Sequence, residues 1–117
     1  MKYVDGFVIP VPKKNLEAYT KIASMAGNIW MEHGALEYRE CAVDDQDVHC
    51  GMPFDKAFKL KPGETVVFAW IVYKSRAHRD RVNAKVMKDL RMAEAPKCPF
   101  DFKRMVCGGF KTLVDLT

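Results

Sequence analysis

The chain has 117 residues, 49% of them hydrophobic and 29% charged, the length of one domain and the composition of a soluble globule with its own core. Its 19 basic and 15 acidic residues leave a net charge of +4, too small an excess to argue for nucleic acid by itself. No apolar run reaches the roughly 18 residues of a bilayer span, and the apolar N-terminal stretch is broken by Asp5 and Pro10 with no small-residue cleavage site, so a cytoplasmic protein without a membrane is expected.

Lys2–Val11 predicts a first strand with apolar residues on both faces, ended by Pro10 and Pro12, which cannot donate to a ladder. Lys13–His33 predicts a helix. Leu16, Tyr19, Ile22, Ala23, Ala26, Ile29, Trp30 and His33 recur at three and four residues, and Gly34 stands where a helix cap favours glycine. Ala35–Asp44 predicts a second strand whose alternation sets Leu36, Tyr38, Glu40 and Ala42 against Glu37, Arg39, Cys41 and Val43. His49–Gly63, rich in Pro and Gly, reads as a long hairpin excursion. Glu64–Tyr73 predicts a third strand. Val66, Phe68, Trp70 and Val72 face one way, and Thr65, Val67, Ala69, Ile71 and Tyr73 the other. Ser75 is a candidate N-cap for a second helix over residues 76–91. A Pro-rich connection, Ala93–Asp101, leads to a fourth strand in which Gly108-Gly109 marks a bulge or a close backbone approach.

This order is that of an α+β, ferredoxin-like β-α-β-β-α-β domain over residues 1–117, with two helices on one face of a four-stranded antiparallel sheet. Two helices cover one face only. Leaving the other in water forfeits about 1.5–3 kcal/mol for each large apolar side chain, and no third helix is available. A second copy packed sheet to sheet is the economical cover, so the chain is expected to be a homodimer. Cys41, Cys50, Cys98 and Cys107 contain no C-x-x-C pair and read as free thiols, with Cys41 and Cys107 as apolar filler inside strands.

The stretches YVDGFVIPVP, WMEHGALEYRECAVDD, ETVVFAWIVYKSRAHRDRVNAKVM and CPFDFKRMVCGGFKTLVD resemble the uncharacterised bacterial family DUF1428, also described as YbaA-like, of the dimeric α/β-barrel group. The resemblance covers most of the chain. It implies the dimeric α/β-barrel fold and supplies no activity, because the family brings no catalytic residues to carry over. Cofactor-free oxygenases, haem-handling proteins and isomerases share the architecture, and this is fold-level analogy only.

Candidate catalytic residues are His33, His78, Arg39 and Asp5; candidate ligand-binding residues are Trp30, Trp70 and Glu40. His33 reads either as a general base or as a histidine at a helix C-terminus, where the dipole favours its cation. His78, in the first turn of the second helix, is disfavoured as a cation and suits a neutral base, or is simply a satisfied surface residue. Asp5 shares a face with Tyr3, Phe7 and Ile9, so it must pair or line a wet cavity, and Arg39 on a neighbouring strand is the expected partner. Glu40 raises the same requirement. Trp70 reads as a ligand platform or as core. His49 and Cys50 are adjacent and point apart in an extended chain, so no metal site is read, and no cofactor. The basic run Lys74, Arg76, Arg79, Arg81, Lys85, Lys88 and Arg91 lacks interleaved aromatics and reads as a solvated helix face rather than a nucleic-acid surface.

Two functions fit these residues. One is a small-molecule enzyme or ligand-binding protein with a pocket between helices and sheet, lined by His33, His78, Arg39, Trp30 and Trp70. The other is a non-catalytic dimeric interaction module using the His49–Gly63 excursion.

Overall fold

Two ten-residue strands, β1 (Tyr3–Pro12) and β3 (Glu64–Tyr73), pair antiparallel along their whole length, from Tyr3 opposite Tyr73 to Pro12 opposite Glu64. They are the centre of the sheet in the computed structural model, which describes residues 1–47 and 51–116. β2 (Glu37–Ala42) joins the free side of β3, and β4 (Val106–Lys111) the free side of β1, both antiparallel, giving the order β2-β3-β1-β4. Helix α1 (Leu16–Glu32) links β1 to β2 after a 3₁₀ turn at Lys13–Asn15, and α3 (Arg76–Lys88) follows β3. Two four-residue helices complete the described structure: α2 (Phe54–Ala57) between β2 and β3, and α4 (Leu90–Ala93) after α3.

Register assigns the faces. Asp5, Phe7, Ile9 and Val11 stand opposite Ile71, Ala69, Val67 and Thr65, and on β2 Tyr38, Glu40 and Ala42 extend the same rows. The helices cover this face. Ile29, Ala35, Ile71, Tyr73, Val82 and Val86 form one core cluster, and Ile9, Val11, Tyr19, Val67 and Ala69 a second. The other face carries Val4, Val8, Phe68, Trp70, Val72, Val106 and Phe110. Only its corner is covered, where Phe54 of α2 meets the Phe68 ring edge-on at 6.3 Å.

Several expectations shift at the element ends. Pro10 and Pro12 lie inside β1, not beyond it. The pairing of β1 with β4 stops at Val8 opposite Val106, so from there β1 is flanked on one side only, the setting in which strand prolines are tolerated. The second strand is shorter than Ala35–Asp44. The second helix stops at Lys88, because Asp89 takes an extended backbone and caps α4 with its own side chain. The fourth strand begins at Val106, after a 3₁₀ turn at Phe102–Arg104. Its glycines cause no bulge: Gly108 and Gly109 pair in register with Gly6 and Asp5. A side chain at Gly109 would run into the Tyr3 ring, so close approach is the reason for that glycine. Ser75 caps α3 as expected, its Oγ accepting from the His78 amide at 3.1 Å, and Gly34 ends α1 with a φ of 115°.

Cys41 and Cys107 are free and exposed, so they are not buried apolar filler: both sit on edge strands of the sheet. Of the expected excursion, Gly51–Gly63 is described and holds α2; His49 and Cys50 lie outside the described residues. No helix among the described residues is long and apolar enough to cross a membrane.

Candidate functional site

Between α1, the covered face of the sheet and the connection after α4 lies a cavity of about 260 Å³. Ile22, Ala26 and Trp30 line it from α1, Phe7, Ile9, Ala69 and Ile71 from the sheet, and Cys98, Phe100, Phe102 and Met105 from the connection. The connection pairs with no strand. Side chains hold it in place: Asn15 Nδ2 donates to the Pro99 carbonyl at 3.1 Å, and the Arg104 guanidinium reaches Glu64 at 2.6 Å. Phe100 meets the Tyr19 ring edge-on at 5.7 Å.

At one wall of this apolar space stands the Glu40 carboxylate. Both of its oxygens accept from phenols: Oε1 from Tyr19, in a very short contact, and Oε2 from Tyr38 at 2.6 Å. Local geometry explains the convergence. Tyr38 and Glu40 are two residues apart on β2, so they share a face, and Tyr19 descends from the first turn of α1. Gly27 allows the helix to sit close, because a Cβ there would lie 2.7 Å from the Tyr38 ring. Burial first, then the hydrogen bond and charge of Glu40, push the Tyr19 phenol far above its ordinary range, and burial followed by the Glu40 charge does the same for Tyr38. Both therefore stay protonated and serve as donors at neutral pH. Tyr19, Ala23, Tyr38 and Glu40 also border an outer cleft of about 410 Å³, lined further by Thr20, Ser24 and Asn28 of α1. The carboxylate stands between an apolar inner space and a more polar outer one.

Cys98 lines the inner cavity, and burial, then the Glu40 charge, push its thiol up. It is a neutral thiol there, not an activated nucleophile. Glu40 can accept a further hydrogen bond or a proton from a bound molecule, while the single O–H of each of Tyr19 and Tyr38 is given to Glu40.

Of the residues singled out in the sequence, Trp30, Glu40 and Trp70 border this cavity, Trp70 from a position whose side chain leaves the opposite face of the sheet. Trp30 Nε1 donates to Asn83 Oδ1 at 3.0 Å, which also accepts from the Tyr73 hydroxyl at 3.2 Å, so its indole N–H is already engaged. His33 lies outside, where α1 ends: its Nε2 is 2.8 Å from Asp89 Oδ2. Arg91 hydrogen-bonds Asp89 and Glu32. The Arg91 hydrogen bond, with that of His33, holds the Asp89 carboxyl well below the usual carboxylate range. His78 accepts at Nδ1 from the Lys74 amide at 3.0 Å, and burial together with Lys74, Arg81 and Lys85 lowers its pKa. Arg39 and Trp70 are on the opposite face of the sheet, with the guanidinium 5.7 Å from the indole ring and Trp70 Nε1 donating to Glu37 at 2.8 Å. Asp5 is buried and pairs with Arg79 at 2.9 Å. The Asp5–Arg39 pair expected from the sequence does not form, because β3 separates their strands and their side chains leave opposite faces. The five residues expected to line one pocket are thus dispersed over two faces and two helix ends.

Tyr19, Tyr38, Cys98 and Phe100 were not singled out in the sequence. Tyr38 could have been found, since it shares the Glu40 face and aromatic donors are the natural partners of a half-buried carboxylate. Among the described residues no group of His, Cys, Asp and Glu is placed to hold a metal.

The family described as "Protein of unknown function (DUF1428)" matches residues 2–102 of the chain. The "Uncharacterized protein YbaA" of Escherichia coli K12 is 44% identical over 116 residues, covering 98% of this chain and 99% of the relative. The Shigella flexneri protein of the same description matches to the same extent. Among solved structures, the de novo designed protein Foldit4 aligns over 98% of this chain and 100% of its own, with 10% identity and a TM-score of 0.46.

Proposed function

The chain belongs to the DUF1428 family of unknown function, and from that premise we propose that it is a cytoplasmic homodimer that binds a small molecule in the cavity between α1 and the sheet. One observation carries the reading: a cavity with apolar walls in which a carboxylate and two phenols converge from different elements. A pocket with few, convergent polar groups is the usual form of a small-molecule site. Glu40 is placed to take a proton from a bound molecule, so transformation as well as binding is within the chemistry of the site.

The sheet order β2-β3-β1-β4 supports a ferredoxin-like domain, and the uncovered face supports a second copy lying against it as a dimeric α/β barrel. Phe68, Val106 and Phe110 are 45%, 55% and 60% exposed, and with Val4, Val8 and Trp70 they form one apolar groove. A contiguous apolar surface of this kind on a small domain marks an interaction site.

Protein isolated under native conditions, denatured and analysed by mass spectrometry should release a small molecule. Ala23→Phe, which fills the space beside Tyr19 and Glu40, should release none while keeping the native fold by circular dichroism. Equal release from both proteins, or from neither, removes the cavity reading. Sedimentation at micromolar concentration should give a dimer; a stable single subunit removes the sheet-to-sheet assembly.

A further inference from the structure

Resting on the cavity reading, we propose that the site takes a small organic cation, a protonated amine carried on an aromatic or aliphatic body. The charge pattern points there. Glu40 accepts from two neutral phenols, and among the described residues no Lys, Arg or His forms an ion pair with it. Four of the six arginines pair with acids elsewhere: Arg39 with Glu37 on the far face, Arg79 with Asp5, Arg91 with Asp89 and Glu32, and Arg104 with Glu64. Glu40 is half-buried beside apolar walls and has no cation of its own among the described residues, so it offers an uncompensated charge to a guest of opposite sign. The thiol of Cys98 and the two phenols carry no compensating charge.

The walls suit the same guest. Tyr19, Trp30, Tyr38, Phe100 and Phe102 surround the space, and aromatic faces attract cations through their quadrupoles. At about 260 Å³, the cavity is smaller than the roughly 300–1,000 Å³ of drug-sized pockets, so the body of the guest is small. Anions are excluded by the same carboxylate that recruits the amine. A metal ion is a poorer occupant, because no group of acidic, His or Cys ligands able to hold one is present among the described residues.

Three probes of nearly equal shape separate charge from size: 2-phenylethylamine, 2-phenylethanol and phenylacetate, titrated calorimetrically into the full-length protein at neutral pH. The amine should bind about tenfold or more tighter than the alcohol, and phenylacetate should not bind. Glu40→Gln should erase the preference of amine over alcohol. Tyr38→Phe, which keeps the carboxylate, should retain it. Equal binding of amine and alcohol, both blocked by Ala23→Phe, would overturn the cation assignment while leaving the cavity reading in place. Preference for phenylacetate, a preference that survives Glu40→Gln, or binding of none of the three would overturn it as well. Should Glu40→Gln fail to fold, the ranking of the three probes on the unmodified protein decides.

Discussion

The two faces of the sheet are both apolar and are treated differently by the chain. On the covered face, Thr65, Val67, Ala69, Ile71 and Tyr73 of β3 are all buried. On the other, Phe68 of the same strand is 45% exposed, and Trp70 and Val72 are partly so. The polar groups differ as well. Those on the covered face are held in side-chain contacts that reach across elements: Asp5 to Arg79, Glu40 to Tyr19 and Tyr38. Those on the open face, Glu37 and Arg39, lie at the rim and bind each other and Trp70. A buried polar group needs a specific partner, whereas a rim charge needs only water. The covered face is therefore where chemistry can be built, and the open face is where adhesion can.

The sharpest way to break this contrast is to place charge on the open face. Phe68→Asp with Phe110→Asp should convert a dimer into monomers in sedimentation velocity, because neither carboxylate can be desolvated against a second apolar sheet. A dimer that persists would mean that the two copies meet elsewhere. Next comes the same kind of truncation on each side. Ile71→Ala, at a position 4% exposed, should lower stability by about 2–5 kcal/mol in urea titration. Val106→Ala, at a position 55% exposed, should cost far less in the monomeric background. Equal losses would mean that the faces are not distinguished by packing. Gly27→Ala sharpens the picture on the covered side alone. It forces Tyr38 away from α1 and should cost about 1–3 kcal/mol by overpacking, with loss of bound ligand if Tyr38 helps to hold Glu40. Unchanged stability would show that the ring can move aside freely.

The smallest effect concerns pH. The pKa of His78 is lowered in the fold from its ordinary 6.5, so the unfolded chain takes up the proton first as pH falls. The contribution is fully present above about 6.5 and is lost as pH drops through the lowered folded value. His78→Asn should flatten the stability profile in that window, measured by thermal melts across mildly acidic pH. A profile that keeps its slope would place the titration on another group.

Strand β3 was the most legible element of the sequence, since a short run rich in β-branched and aromatic residues between Gly63 and Ser75 suits a strand apolar on both faces, and alternation on β2 placed Glu40 and Tyr38 on one face. The stripe from Leu16 to Trp30 identified α1 for the same reason. What the sequence hid were the relations between elements. Asp5 and Arg39 looked like neighbours only while the strand order was unknown; with β3 between them, α3 supplies Arg79 instead. His33 and His78 drew attention as titratable groups, yet each is engaged at a helix end, by Asp89 and by the Lys74 amide. Cys98 and Phe100 belong to a Pro-rich connection without periodicity, and nothing local indicates that it folds back over α1. The end of α3 was missed because Asp89 stops it by changing its own backbone and capping a new turn, which helix propensity does not encode.

The connection over the cavity has a further consequence. It forms a whole wall of the cavity and takes no part in the ladder; Asn15 and Glu64 hold it from outside. Replacing Cys98, Phe100 or Phe102 by larger or smaller side chains would reshape the chamber without disturbing strand register. Selectivity could thus diverge between relatives while their scaffold stayed constant, with this segment acting as an interchangeable cover.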